Sequence, residues 1–237
     1  MNRIVTKITV ATFAVLAMAL TSAQFGCKAT YQERDIAPSG FLKDYSELKP
    51  GTGDEALYRY IKPGVDWKKY TKIILDPISI YKTPDSDLNG IPEEELKSLA
   101  DYLDATIREH LKNDYTFVTT PGPDTMRIRT AITQASGASV GLNVVSSVVP
   151  IGIALANVTK LVSGKYPFVG QAGIECEFLD SMTGTRLAAA MDARAGSKTW
   201  VAGNKFASWS DAKSAFDFWA ERAAKVLTEL RTTGNAN

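Results

Sequence analysis

The residues with the clearest potential for chemistry lie between Asp85 and Gly90. The run Asp-Ser-Asp-Leu-Asn-Gly places the oxygen-bearing side chains of Asp85, Asp87 and Asn89 at alternate positions before a glycine, as at the start of a calcium-binding loop. Such a loop needs a bidentate glutamate at its last position, where this sequence has Leu96. We therefore interpret the run as a polar turn that leads into a helix, with a calcium site as the alternative.

No other pattern in the sequence predicts catalysis. His110 is the sole histidine, which excludes a multi-histidine metal site and leaves only one candidate base for a triad. The sequence has no Gly-x-Ser-x-Gly elbow, and Ser163-Gly164-Lys165 lacks the flanking residues that a phosphate-binding loop requires. We predict no catalytic residue, no cofactor and no metal ion, with an enzyme as the alternative.

Charged residues recur at alternate positions in three candidate strands. Because strand side chains alternate between the two faces of a sheet, we predict that these residues share one face. They are Arg127, Arg129, Glu175, Glu177, Arg186, Asp192 and Arg194. A cross-strand charge ladder on a solvated face is one interpretation. The alternative is a ligand or partner platform, with Arg127, Arg129, Glu175, Glu177 and Arg194 as its candidate residues.

These strands belong to a predicted α+β domain. Alternation over residues 121–135 predicts the central strand, and 67–81, 115–118, 168–180 and 186–195 predict the others. Apolar residues three and four apart predict two long helices, from Pro92 to about Asn113 and from Ser208 or Ser210 to about Leu230. We expect a single mixed, largely antiparallel sheet of about five strands, with both helices packed on one face and the charged face uncovered.

The charge balance argues against a nucleic-acid partner. The chain has 27 Lys and Arg residues against 26 Asp and Glu residues, a formal net charge of +1. Lys68-Lys69 is the largest basic cluster. A neutral, mixed-sign surface gives no electrostatic attraction to phosphate backbones.

Residues 1–26 have the pattern of an export signal, with a basic start, an apolar run from Ile8 to Leu20 and a small-residue exit. Gly26-Cys27 matches the end of a bacterial lipobox, which predicts lipid attachment at Cys27, whereas Gln24-Phe25 departs from it. Cleavage after Ala23, releasing a soluble protein, is the alternative. The other cysteine, Cys176, alternates with apolar residues, so we predict that it points into the core instead of forming a disulfide.

Three regions follow the signal. Residues 27–65 are polar and rich in Pro and Gly, which predicts a tether with a segment that docks on the domain. Residues 66–235 form the single α+β domain, with an apolar insertion at 139–164. We predict that this insertion packs on the domain as a loop and a helix over 151–161. A membrane-touching or self-associating element is the alternative.

Three motifs carry a family resemblance. They are Ser39-Gly40-Phe41-Leu42, the run from Pro121 to Arg129 followed by Ala131-Ile132-Thr133, and the stretch from Gly170 to Asp180 with Thr183-Gly184. Together they resemble the bacterial lipoproteins grouped as domain of unknown function 3313. The resemblance implies an envelope lipoprotein of Gram-negative bacteria, and no catalytic residues are carried over. Lys28, in place of an aspartate after Cys27, implies sorting to the outer membrane.

From these observations we predict a lipid-anchored, periplasm-facing protein of the outer membrane. Its expected role is non-catalytic, as a module for interaction with an envelope protein partner or for envelope maintenance. The alternative is a soluble periplasmic enzyme or small-ligand binder that uses the exposed sheet face.

Overall fold

The computed structural model of the protein describes residues 30–32, 36–136, 171–195 and 209–234. The predicted signal at 1–26, the predicted lipid-attachment residue Cys27 and the apolar insertion at 139–164 lie outside the described residues.

Within these ranges the chain forms nine strands and two α-helices, joined by short 3-10 helices at Trp67–Lys69 and Asp87–Gly90. The strands are β1 (Tyr31–Gln32), β2 (Lys49–Pro50), β3 (Tyr58–Ile61), β4 (Lys72–Leu75), β5 (Ser79–Ile80), β6 (Thr116–Phe117), β7 (Thr125–Ser136), β8 (Gln171–Asp180) and β9 (Arg186–Ala195). The helices are α1 (Glu93–Leu111) and α2 (Ser210–Thr233).

All nine described strands join one mixed sheet in the order β2-β3-β9-β8-β7-β4-β6, with β1 beside β9 and β5 beside β7. Strands β7, β8, β9 and β3 pair antiparallel with one another in that order. Strands β4 and β5 pair in parallel with β7, and β6 pairs in parallel with β4. The prediction that residues 121–135 hold the central strand is confirmed. The break that Pro77 imposes separates β4 from β5, because proline cannot donate to the ladder.

Both helices form where the apolar spacing predicts them. In α1, Leu96, Leu99, Leu103, Ile107 and Leu111 are at most 9% exposed and form one stripe. Three glutamates in its first turn favourably meet the positive end of the helix dipole. Helix α2 begins at Ser210 and ends at Thr233, and the next residue, Gly234, has the left-handed conformation that commonly ends a helix.

The main core lies between the two helices and one face of the sheet. From β7, Met126, Ile128 and Ile132 point into it and meet Leu99 of α1 and Phe216 of α2 among other buried residues. Full burial of a side chain of this size stabilises the fold by about 1.5–3 kcal/mol. The α+β class and the packing of both helices on one face are confirmed.

The sheet has more strands than the expected five because residues of the N-terminal region join it. We call residues 36–61 the docking segment. It contributes β2 and β3, and β3 pairs with β9 from Tyr58 to Ile61. Its side chains Phe41 and Leu42 pack with Ala131 and Ala189 on the sheet face opposite the helices. The prediction that this second face is uncovered is therefore wrong.

Candidate functional site

Glu175, on β8, is the centre of the contacts between the sheet and the docking segment. Its side chain is 1% exposed. The Ser39 amide donates to Oε1 at 2.7 Å, the Tyr45 hydroxyl donates to Oε2 at 2.6 Å, and the Leu42 amide reaches Oε2 at 3.4 Å. Burying a carboxylate costs free energy unless it is hydrogen-bonded, and here three donors of one segment satisfy it.

The neighbouring acid on the same strand is held by two arginines. Glu177, 4% exposed, pairs with Arg129 of β7 through one oxygen and with Arg186 of β9 through the other, at 3.1 Å. Arg186 also donates to the backbone carbonyls of Leu42 at 2.7 Å and Asp44 at 2.8 Å. The acid–base ladder across three strands therefore also fixes the docking segment.

The Ser-Gly-Phe-Leu run at 39–42 has a backbone conformation and a packing that bring the docking segment into contact with the sheet. Gly40 has a φ of +102°, and a Cβ there would lie 3.2 Å from the Tyr81 hydroxyl oxygen. Phe41 packs edge-on against the Tyr81 ring at 5.9 Å, and the Arg129 guanidinium lies 5.2 Å from the Phe41 ring centre. The motif therefore has a structural role, because it closes the docking segment over the charged side chains.

Tyr45 is kept in its neutral, donating form. Burial raises the pKa of Tyr45, and its hydrogen bond to the Glu175 carboxylate raises it further, because the bond would be lost with the phenolic proton. The hydroxyl also accepts from the Gly40 amide at 2.8 Å. It therefore bridges the buried acid and the backbone of the docking segment.

The prediction that all seven charged residues share one face is wrong for Asp192 and Arg194. The register between β8 and β9 shifts at Phe178–Leu179, so the alternation of β9 is interrupted near Leu187. A one-residue slip exchanges the two faces of a strand. Arg186 consequently stays beside Glu177, whereas Asp192 and Arg194 point to the helix side.

Asp192 lies 2% exposed against α2. It accepts from the Trp219 indole at 2.7 Å, from the Gln32 side chain at 2.8 Å and from the Leu57 amide at 3.1 Å. Burial raises the pKa of Asp192, and these hydrogen bonds offset part of that effect. The residue thus ties β1, the docking segment and α2 to β9.

Arg194, 7% exposed, likewise has a structural role on the helix side of β9. Its guanidinium lies 3.7 Å from the Phe218 ring centre and donates to Thr30 Oγ1 at 2.8 Å and to the Thr30 carbonyl at 2.9 Å. Burial lowers the pKa of Arg194, and Asp192 and Asp54 counteract that effect.

Of the five residues predicted as a possible ligand or partner platform, Arg127 alone is exposed, and its guanidinium binds Asp76 at 2.9 Å.

A further carboxylate gives no clear signal in the sequence. Asp180, at the end of β8, accepts from the Met182 and Thr183 amides of the hairpin turn and from the Tyr70 hydroxyl at 2.8 Å. Burial by itself would raise the pKa of Asp180, but the bonds from Tyr70, Thr183 and Lys69 outweigh it and hold the pKa below its ordinary value. The partner Tyr70 lies 110 residues away in sequence, so no local pattern indicates this contact.

The residues of the candidate calcium loop lie in an exposed turn. Asp87 and Asn89 belong to the 3-10 helix, and the Asn89 amide donates to the carbonyls of Thr83 at 2.9 Å and Pro84 at 3.0 Å. In the ranges that the structure describes, no three His, Cys, Asp or Glu side chains gather as metal ligands would. His110 is exposed in the last turn of α1.

A cavity of about 120 Å³ opens between α2 and the helix-side surface of β3, β8 and β9. Cys176 lines it, and burial raises the pKa of this thiol to about 12. The thiol is therefore protonated at physiological pH and a poor nucleophile. Cys176 points to the helix side of the sheet and forms no disulfide with another described residue. The absence of a Cys27–Cys176 disulfide stays a prediction, because Cys27 lies outside the described residues.

Helices of membrane-spanning length and hydropathy do not occur among the described residues.

The charged face of the sheet leaves little capacity to bind a ligand, because each carboxylate oxygen of Glu175 and Glu177 already accepts a hydrogen bond from the protein. The geometry of this face supports attachment of the docking segment more than chemistry on a substrate.

The comparisons with known proteins agree with the resemblance in sequence. Residues 37–223 match the family described as protein of unknown function (DUF3313). The uncharacterized lipoprotein YdcL of Escherichia coli K12 is 29% identical over 160 residues, which cover 67% of this chain and 70% of that protein. The same values hold for YdcL of Escherichia coli O157:H7.

Two solved structures are similar at low identity. The PelC dodecamer from Paraburkholderia phytofirmans matches with a TM-score of 0.36 and 13% identity over 73% of this chain and 96% of that one. A DUF330 protein from Xanthomonas campestris matches with a TM-score of 0.40 and 9% identity, over 71% and 91% of the two chains.

Proposed function

The chain belongs to the DUF3313 family, and from this premise we propose that it is a lipid-anchored protein of the cell envelope. Two observations from the sequence and its relatives support the proposal. The first 26 residues have the order of an export signal and are followed by Cys27. The Escherichia coli relative, at 29% identity, is named a lipoprotein.

The position of β1 is the structural observation on which the proposal depends. Cys27 precedes Thr30 by three residues. Thr30 is bound by Arg194, and Tyr31 and Gln32 pair with Ala195 and Arg194 of β9. Three extended residues reach about 10 Å, so a lipid on Cys27 would hold this end of the sheet close to the membrane surface. We therefore propose a domain seated at the membrane instead of one on a long tether.

We further propose that the membrane is the outer membrane, that the domain faces the periplasm, and that its role is to bind an envelope protein or to maintain the envelope. Lys28 after Cys27 supports the sorting, as the family resemblance implies. The use of Glu175 and Glu177 to hold the docking segment supports a role without catalysis on that face.

The end of the sheet beside β1 is where the membrane contact would form. Ser136, Gln171, Ala195 and Tyr31 pair in one row across β7, β8, β9 and β1. The apolar insertion at 139–164 lies in sequence between Ser136, the last residue of β7, and Gln171, the first residue of β8, which are both at this end of the sheet. We propose that this stretch touches the membrane, and that deletion of residues 144–156 leaves thermal unfolding unchanged but weakens vesicle binding. A lowered melting temperature would instead assign the stretch to the core.

The anchor is tested by membrane fractionation and intact mass of the full-length protein beside its Cys27→Ser variant. We expect acyl mass on the native protein, membrane association of the native protein, and release of the variant. Separation of inner and outer membranes then tests the sorting, since Lys28→Asp should move the protein to the inner membrane and Lys28→Ser should not. A native protein without acyl mass would refute the anchor.

A further inference from the structure

The cavity between α2 and the sheet exists because small side chains face each other there. On the sheet, Ala188 and Ala190 point towards α2, opposite Ala223. Larger apolar groups surround them and close the sides, among them Ile174, Phe178, Val226 and Leu230. The space of about 120 Å³ is therefore built from the alanine-rich sequence of β9.

Small apolar residues of β8 and β9 are more exposed on the helix face of the sheet than on the face that the docking segment covers. Ala189 and Met191, which point to the docking segment, are 2% and 4% exposed. Cys176, Ala188 and Ala190, which point to the helix side, are only half-buried, because the cavity opens to solvent beside them. Solvent therefore reaches the apolar surface that Ala188, Ala190 and Cys176 form at the bottom of the cavity, which we call the alanine floor.

Arg222 of α2 lines the same cavity and is the one cation there that lacks a partner within the described ranges. Its Nε is shielded from solvent and makes no hydrogen bond. By contrast, Arg59 pairs with Glu55 at 2.6 Å, and Asp192 accepts three bonds from the protein. A shielded guanidinium N–H without an acceptor costs free energy, and a carboxylate or phosphate oxygen is the acceptor that fits its planar fork.

We propose that this cavity binds a single aliphatic chain that carries an anionic head group, with the chain on the alanine floor and the head on Arg222. An apolar cavity of roughly 150 Å³ takes a benzene molecule, so a volume of about 120 Å³ suits a segment of about four to six carbons. Longer chains extend from the open side. The proposal does not depend on the anchor at Cys27, because the cavity is formed by the sheet and α2.

The test is calorimetric titration of the full-length Cys27→Ser protein with octanoate and, as the matched cation, octylamine. We expect saturable binding of octanoate and at least about tenfold weaker binding of octylamine, since one charge-assisted hydrogen bond is worth about that factor.

Two variants test the residues that would form the site. Arg222→Gln should lower the affinity for octanoate about tenfold without changing the melting temperature. Ala223→Leu should block binding by filling the cavity. Dodecanoate and a lysophospholipid then distinguish a free fatty acid from a membrane lipid as the source.

Three results would overturn the proposal. They are absence of octanoate binding to the folded protein, equal binding of octylamine, and unchanged octanoate affinity in Arg222→Gln. If octanoate fails to bind and Ala223→Leu converts an oligomer to a monomer, the occupant is a second copy of the chain. If Ala223→Leu does not fold, the Arg222→Gln titration still decides the matter, because Arg222 is half-buried and has no partner to lose among the described residues.

Discussion

Replacing Glu175 with glutamine tests whether this buried carboxylate holds the docking segment on the sheet. The carboxylate accepts two short bonds, at 2.7 Å from Ser39 and 2.6 Å from Tyr45, and a longer one from Leu42. A hydrogen bond to a charged group contributes about 1 kcal/mol more than a neutral one, so we expect Glu175→Gln to lower the free energy of unfolding by about 2 kcal/mol. For a chain of this length that is a fall of about 4 to 8 °C in melting temperature.

The assay is urea denaturation, combined with hydrogen exchange of the amides at residues 39–45. Exchange should increase in the docking segment before it increases in β7, because the lost contacts lie at that segment. Glu109→Gln is the control, since this exposed side chain pairs only with Lys112 among the described residues, and an exposed pair contributes about 0.2–1 kcal/mol. Equal unfolding free energies for Glu175→Gln and Glu109→Gln, with unchanged exchange at 39–45, would refute the reasoning.

Three other predictions follow from the buried polar groups. Asp180→Asn should destabilise the protein at pH 7, and the difference from the wild type should shrink as the pH falls below about 4, because the lowered pKa of Asp180 stabilises the fold only while the carboxylate is ionised. Denaturation at pH 7 and pH 3 measures this, and a difference independent of pH contradicts it. Trp219→Phe should cost about 1–3 kcal/mol by removing a donor to a buried acid, whereas Trp209→Phe, which removes an exposed bond, should cost less; equal losses in denaturation argue against the assignment. In a Cys27→Ser chain, Cys176 should react much more slowly with a thiol reagent at pH 8 in the folded than in the unfolded protein, since its raised pKa of about 12 leaves little thiolate although the residue lines the open cavity; equally rapid labelling of the folded protein would disprove this.

The sequence predicts the long elements of this fold because each has a strong and regular period. The buried stripe of α1 and the alternation of β7 are both visible without any knowledge of tertiary contacts. Strands β1 and β2, which the sequence does not predict, have two residues each, and such short strands have no period to detect. They exist because longer neighbours in the sheet offer free hydrogen-bonding groups, which is information held in the fold and not in their own residues.

The candidate site shows the same limit in another form. Alternation correctly groups Arg129, Glu175 and Glu177 on one face, but it cannot tell whether a distant segment covers that face. It also fails beyond the register shift near Leu187, since a bulge changes the face of every later residue in the strand. Strict alternation therefore places the buried acid Asp192 on the wrong face of the sheet. The cavity depends on the same strand, and its alanines give only a weak alternating pattern.

The contact between Tyr45 and Glu175 joins residues that are 130 positions apart, and the contact between Thr30 and Arg194 spans 164. Closing a loop of that first length costs about 2 kcal/mol more in chain entropy than closing a loop of ten residues. Folding dominated by such distant pairings is slow. During synthesis the docking segment emerges long before β8 and β9, so Phe41, Leu42 and Tyr45 stay exposed to water until the strands that bury them arrive. The apolar side chains that close the finished domain are thus the ones that a holding chaperone would have to shield during its assembly.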